Sequence, residues 1–100
     1  MITHDDTAHQ FIITVDDQRA GHADYRDHEG ERLFYHTEIA EEFGGRGLAN
    51  DLVSQALDDT RMPIVAICPF VRGWLEKNEH DHTWRKPTPA DIMWLQKELA

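Results

Sequence analysis

Glu41-Glu42-Phe43-Gly44-Gly45-Arg46-Gly47-Leu48-Ala49 stands where one hydrophobic period of the chain gives way to another. Upstream, apolar residues alternate; downstream, they recur at helical spacing. His9 to Val15 reads as a strand, with Phe11, Ile13 and Val15 alternating with Ile12 and Thr14. Asp16-Asp17-Gln18 is a turn signal. Arg19 to Asp27 reads as a second strand, with Ala23 and Tyr25 on one face and His22 and Asp24 on the other. His28-Glu29-Gly30-Glu31 turns again. Arg32 to Ile39 is a third strand, with Leu33, Tyr35, Thr37 and Ile39 on one side and Phe34, His36 and Glu38 on the other. Strands joined by turns this short predict an antiparallel meander.

Beyond the glycines, Leu48, Leu52, Val53, Ala56 and Leu57 mark an amphipathic helix from about Arg46 to Arg61, stopped by Pro63. Asn50, Asp51, Gln55, Asp58 and Asp59 form its wet side. Ile64-Val65-Ala66-Ile67 is wholly apolar, as a strand buried on both faces is. Pro69 suits the first turn of a second helix, to which Phe70, Trp74 and Leu75 give an apolar face. Asn78 to Lys86 is polar and reads as irregular. Thr88-Pro89-Ala90-Asp91 reads as an N-cap, a proline at the first helical position and an acid in the first turn. Ile92, Leu95 and Leu99 continue that helix, and Met62 and Met93 are assigned to the core. The predicted order is β-β-β-α-β-α-α: an α/β (α+β) fold around a mixed, mainly antiparallel sheet. No repeat, low-complexity run or long linker interrupts it, so one domain over residues 1–100 is expected.

Composition narrows the function. The net charge is −9, from 19 acidic and 10 basic residues. Phosphate-backbone binding draws on Lys and Arg, so no nucleic-acid partner is expected. An acidic surface favours a cationic partner such as an amine or a basic peptide, and it also serves solubility. No apolar run approaches the roughly 18 residues of a membrane span. Met1-Ile-Thr-His-Asp-Asp has neither the basic start nor the apolar stretch of a secretory signal. The single cysteine, Cys68, has no partner for an intramolecular disulfide. Together these predict a cytoplasmic protein with no membrane partner.

The glycine stretch carries a chemistry of its own. Gly44, Gly45 and Gly47 permit backbone conformations and close approaches that a side chain forbids. The first turn of a helix leaves N–H groups without partners, and the macrodipole makes that end positive. A glycine-rich strand-to-helix turn is therefore a ready site for a pyrophosphate, and Arg46 adds a full positive charge. A tight turn with no ligand is the alternative.

This stretch resembles the acyl-coenzyme A motif of the GNAT superfamily, Arg/Gln-x-x-Gly-x-Gly/Ala, with Gly47 and Ala49 at the last two fixed positions. Gly44 stands where Arg or Gln is usual. The flanks sharpen the likeness: His36-Thr37-Glu38-Ile39, then Phe43-Gly-Gly-Arg-Gly-Leu-Ala, then Cys68-Pro69-Phe70-Val71. In that order they resemble a minimal GNAT-like family of about a hundred residues, over about residues 9 to 77. The resemblance implies an N-acetyltransferase with acetyl-CoA as co-substrate, held at Gly44, Gly45, Arg46, Gly47, Leu48 and Ala49. It implies direct transfer to a primary amine, the acceptor being unspecified. A non-catalytic acetyl-CoA-binding or protein-interaction module is the rival reading. Residues 78 to 100 depart from the family's pattern.

Amide formation from acetyl-CoA requires a deprotonated amine, a polarised thioester carbonyl and a protonated thiolate leaving group. His36 and Glu38 project from one face of a strand, where either is a candidate proton acceptor or an ordinary surface pair. Cys68 ends the buried strand ahead of a helix, a position where thiols ionise more readily. It is a candidate nucleophile or acid, or a small core residue. His80-Asp81-His82 has metal-ligand spacing, but the other histidines are scattered and no cysteine joins them, so no metal is expected. Trp84-Arg85-Lys86 reads as a packing residue with solvated neighbours.

Overall fold

The computed structural model describes residues 1–100. One six-stranded sheet has the order β1 (Ile2–Asp5), β2 (Gln10–Val15), β3 (Gln18–His28), β4 (Glu31–Ile39), β5 (Ile64–Ala66), β6 (Trp84–Arg85). The first four strands pair antiparallel; β5 and β6 run parallel to β4 and to one another. Parallel neighbours need crossovers, and helices supply them. Helix α1 (Leu48–Asp58) joins β4 to β5, and α2 (Pro69–Lys77) joins β5 to β6. Helix α3 (Pro89–Leu99) follows. The mixed, mainly antiparallel sheet agrees with the expectation from sequence.

Two strands correct the predicted order. β1 pairs with β2 at the sheet edge, and β6, inside the stretch read as irregular, pairs with β5. Helix α1 is also shorter than the predicted Arg46–Arg61. Gly47 caps it in the left-handed region, at φ 73°, and its regular turns end at Asp58, well before Pro63.

The core lies between the sheet and α1. Leu52 and Leu57 have no exposed surface, and Val53 and Ala56 are buried beside them. They join one cluster with Phe11, Ala23, Tyr25, Phe34, Ile64 and Ala66 from the sheet and Val71 and Leu75 from α2. Full burial of each such leucine stabilises the fold by about 1.5–3 kcal/mol. Phe70 is 44% exposed, so the apolar face of α2 is Val71, Leu75 and the partly buried Trp74, and the predicted Phe70 lies outside it. Met93, assigned to the core, is also exposed. Leu33 and Val65, neighbours across β4 and β5, are buried outside the main cluster, as is Leu95 of α3. Thr88 and Asp91 form a reciprocal capping box at the start of α3. The Arg85 guanidinium ties that helix to the sheet, binding Asp91 at 2.7 Å and Glu31 at 2.8 Å.

One irregularity decides which way β4 faces. Asp24 pairs with His36, but Tyr25 pairs with Phe34, so Tyr35 is an extra residue in β4. Phe34 and Thr37, opposite the core residues Tyr25 and Ala23, therefore share the helix-bearing side. The strict alternation predicted for Arg32 to Ile39, which put Phe34 with His36 and Glu38, fails at this bulge.

Candidate active site

The bulge coincides with a parting of strands. β5 pairs with β4 only at Arg32, Leu33 and Phe34. The Phe34 carbonyl then accepts from the backbone N–H groups of both Ile67, at 3.0 Å, and Cys68, at 2.9 Å. Beyond that point the chain enters α2, while Tyr35 to Ile39 continue without a partner on the β5 side. A gap opens between them.

Cys68 stands at the mouth of this gap as the N-cap of α2. Its side chain is nearly buried, and its sulfur lies 3.4 Å from the Thr37 hydroxyl. His36 and Glu38 flank Thr37 and so project from the opposite face of β4. His36 Nε2 is 3.2 Å from Glu38 Oε1, and both side chains are largely exposed. The three residues singled out for chemistry are thus divided. His36 and Glu38 meet each other, and Cys68 lies across the strand from them.

The sheet adds partners that the sequence reading left unused. His22 and Asp24 on β3 stand opposite Glu38 and His36. His22 Nδ1 is 2.8 Å from Asp24 Oδ1, and His22 Nε2 is 3.9 Å from Glu38 Oε2. Gln10 Nε2 donates to the same Asp24 oxygen, and Arg19 donates to Gln10 Oε1. A shallow cavity of about 290 Å³ adjoins this network, lined by Arg19, Ala20, Gly21, His22, Glu38 and Ala40. Gly21 permits the two strands to approach here: a Cβ on it would lie 2.4 Å from the Glu38 carbonyl oxygen. The period-two spacing of His22 and Asp24, mirrored by His36 and Glu38 across the predicted turn, was the signal for this cluster.

The glycine turn links β4 to α1 through a short 3₁₀ segment, Glu41–Phe43. Gly44 is extended, and its N–H donates to the Glu41 carbonyl at 3.1 Å. Gly45 and Gly47 take φ of 78° and 73°, a region that L side chains rarely adopt. The first backbone bond of the helix runs from Asp51 N–H to Gly47 O, at 3.2 Å, and no side chain caps the end. The N–H groups of Gly45, Arg46, Gly47, Leu48, Ala49 and Asn50 consequently have no acceptor within the chain. Gly44 to Gly47 are exposed, and the Arg46 guanidinium sits 5.5 Å above the Phe43 ring, in no ion pair. Beside this end of α1, Asn50 and the α2 residues Pro69, Phe70, Gly73, Trp74 and Lys77 line a groove of about 430 Å³.

His80 and His82 do not form a ligand pair. His80 Nε2 donates to the Leu75 carbonyl at 2.8 Å, and its Nδ1 accepts from His82 N–H at 3.0 Å. His82 Nε2 lies 3.3 Å from Asp58. No helix is long and apolar enough to cross a membrane.

A sheet that parts beside a bulge, together with an uncapped helix start after a glycine turn, gives an α/β fold with free backbone N–H groups beside a groove. The sequence model of the family described as GCN5-related N-acetyl-transferase matches residues 10–84. The chain belongs to that family, and membership supports an acetyl-transfer role. No curated protein matches the chain.

Proposed function

We propose that residues 1–100 form a single acetyl-CoA-dependent N-acetyltransferase domain that acts on a primary amine by direct attack. The observation that carries this reading is the run of six unpartnered backbone N–H groups from Gly45 to Asn50 at the positive end of α1. The pyrophosphate of acetyl-CoA is the anion of matching size, and Gly44, Gly45, Arg46, Gly47, Leu48 and Ala49 would hold it. The groove along Phe70 and Trp74 offers apolar surface to the rest of the coenzyme, and Lys77 offers a cation. The unpaired edge of β4 offers backbone groups to its amide-bearing arm, which would lead the thioester into the gap near Cys68.

In this reading the amine attacks the thioester carbonyl carbon, a C–N bond forms, the C–S bond breaks, and the thiolate leaves protonated. His36 and Glu38 lie on the face of β4 opposite Cys68 and, with His22 beside Glu38, are the candidate groups for proton transfer. Cys68 packs beside the acyl group and does not carry it. The acidic balance of the chain suits a cationic acceptor.

A second reading, an acetyl-CoA-binding module without efficient transfer, draws support from the placement of Cys68 across the strand from His36 and Glu38. Calorimetry with acetyl-CoA, followed by thiol release in the presence of ethylamine, separates the two. Binding with amine-dependent thiol release supports the enzyme. Binding alone supports the module, and absence of binding overturns both.

A further inference from the structure

Of the imidazoles on the acceptor side of the sheet, His22 is the one fixed from behind. Its side chain is 20% exposed and that of Asp24 13%, whereas His36 is 49% exposed. Asp24 Oδ1 accepts from Gln10 Nε2 at 2.9 Å and faces His22 Nδ1 at 2.8 Å. A carboxylate only accepts, so the neutral ring carries its proton on Nδ1 and leaves a lone pair on Nε2. That nitrogen looks toward Glu38 Oε2, 3.9 Å away, at the wall of the 290 Å³ cavity. Arg19 also lines the cavity, and its guanidinium is bound to the neutral Gln10. The remaining charged or titratable neighbour is His36 on β4, its ring centroid 5.8 Å from that of His22. Glu38 belongs both to the cavity and to the part of β4 that β5 leaves unpaired, so the strand that lines the cavity also borders the gap.

We propose that His22 is the base of the transfer reaction: its Nε2 takes the proton from an aliphatic ammonium group lodged in this cavity, and Asp24 is the positioning residue that holds the ring. The inference rests on the reading of the protein as an amine acetyltransferase. The balance is complete without a further reactant. The ammonium loses one proton to His22 Nε2 and becomes an amine. Its nitrogen lone pair forms the C–N bond as the C–S bond breaks, and the second proton goes to the departing thiolate. The products are an acetamide, free coenzyme thiol and a proton that His22 returns to solvent. An acceptor small enough for the cavity is required, with its ammonium between the imidazole and the Glu38 carboxylate.

The test compares ethylamine with 2,2,2-trifluoroethylamine, an acceptor of similar shape that is already largely deprotonated at neutral pH. His22→Gln is expected to slow acetylation of ethylamine by about 100-fold, the usual scale of a positioned base. It should slow trifluoroethylamine acetylation far less and leave acetyl-CoA affinity nearly unchanged. Asp24→Asn should lower kcat for ethylamine without raising KM for acetyl-CoA. Equal slowing of both amines, or slowing of neither, overturns the assignment while leaving the transferase reading intact. A wild-type protein that acetylates neither amine overturns both. A second readout needs no variant: long-range ¹H–¹⁵N correlation should find the neutral His22 ring protonated on Nδ1, and the Nε2–H form would overturn the dyad.

Discussion

The hydroxyl of Thr37 lies 3.4 Å from the sulfur of Cys68, across the mouth of the gap between β4 and β5. This contact shows which side of the sheet each neighbour occupies. Thr37 and Cys68 share the helix-bearing side of the sheet, so His36 and Glu38, one residue to either side of Thr37, face away. An acyl group in the gap would therefore meet a thiol on one side and a histidine–carboxylate face on the other. The bulge at Tyr35 produces this division, because it resets the alternation of β4 just before Thr37.

Gly47 is predicted to be indispensable for coenzyme binding. Its φ of 73° starts α1, and a Cβ there would meet no protein atom within 4 Å, so the space it would fill is open. Gly47→Val should strain the backbone by roughly 1–3 kcal/mol and obstruct an anion approaching the free N–H groups. Isothermal calorimetry should find acetyl-CoA binding weakened at least tenfold, about 1.4 kcal/mol. Unchanged affinity would remove the turn from the binding site.

Leu52 and Leu57 are predicted to bear the packing of α1 on the sheet. Both are completely buried in the main cluster. Truncation of either to Ala should cost roughly 2–5 kcal/mol, a large fraction of the stability of a domain this size. Urea denaturation followed by circular dichroism measures it, and a loss below about 1 kcal/mol would contradict the packing described.

Local features of this fold were legible in the sequence; those set by pairing were not. The left-handed glycine turn, Pro69 at the start of α2 and the Thr88–Asp91 capping box were all announced by residue types at fixed offsets. β1 gave no such signal. Only Ile2 is partly buried in it, and Thr3, His4 and Asp5 are exposed, so no apolar alternation marks the strand. β6 is two residues long, too short for any period. The orientation of Phe34 was hidden for a different reason. Alternation within Arg32 to Ile39 is consistent with either face, and only pairing with β3 reveals the extra residue at Tyr35. The same holds for the polar cluster. Alternation placed His22 with Asp24 and His36 with Glu38, but the hairpin register is what brings the two pairs together.

Asp91 should make the protein acid-sensitive. Its hydrogen bond to Arg85 holds the carboxyl well below the usual carboxylate range; burial opposes this, and the Thr88 backbone and hydroxyl add to it. The unfolded chain takes up the proton first as pH falls below about 4, so the stabilisation is complete above that value. It is lost as pH drops toward the depressed folded-state value. Asp91→Asn should cost roughly 1.5–3 kcal/mol near neutral pH, the scale of a charge-assisted hydrogen bond. The difference from wild type should narrow at about pH 3 or below. Equal differences across the whole range, seen in denaturation curves, would show that the charge of Asp91 contributes nothing.

Cys68 is predicted to serve the site by packing and not by carrying the acetyl group. It is nearly buried, its sulfur faces the Thr37 hydroxyl, and its N–H is committed to the Phe34 carbonyl. Serine preserves the shape and offers Thr37 a stronger hydrogen-bond partner. If Cys68 were the nucleophile, Cys68→Ser should nearly abolish transfer, because an unactivated hydroxyl attacks far more slowly than a thiolate. The expected result is a reduction of only a few-fold in thiol release, with acetyl-CoA affinity unchanged. Intact-protein mass spectrometry after mixing with acetyl-CoA gives the direct measurement. Wild type should show no stoichiometric acetyl adduct, whereas an adduct on Cys68 that ethylamine discharges would establish a two-step transfer in place of direct attack.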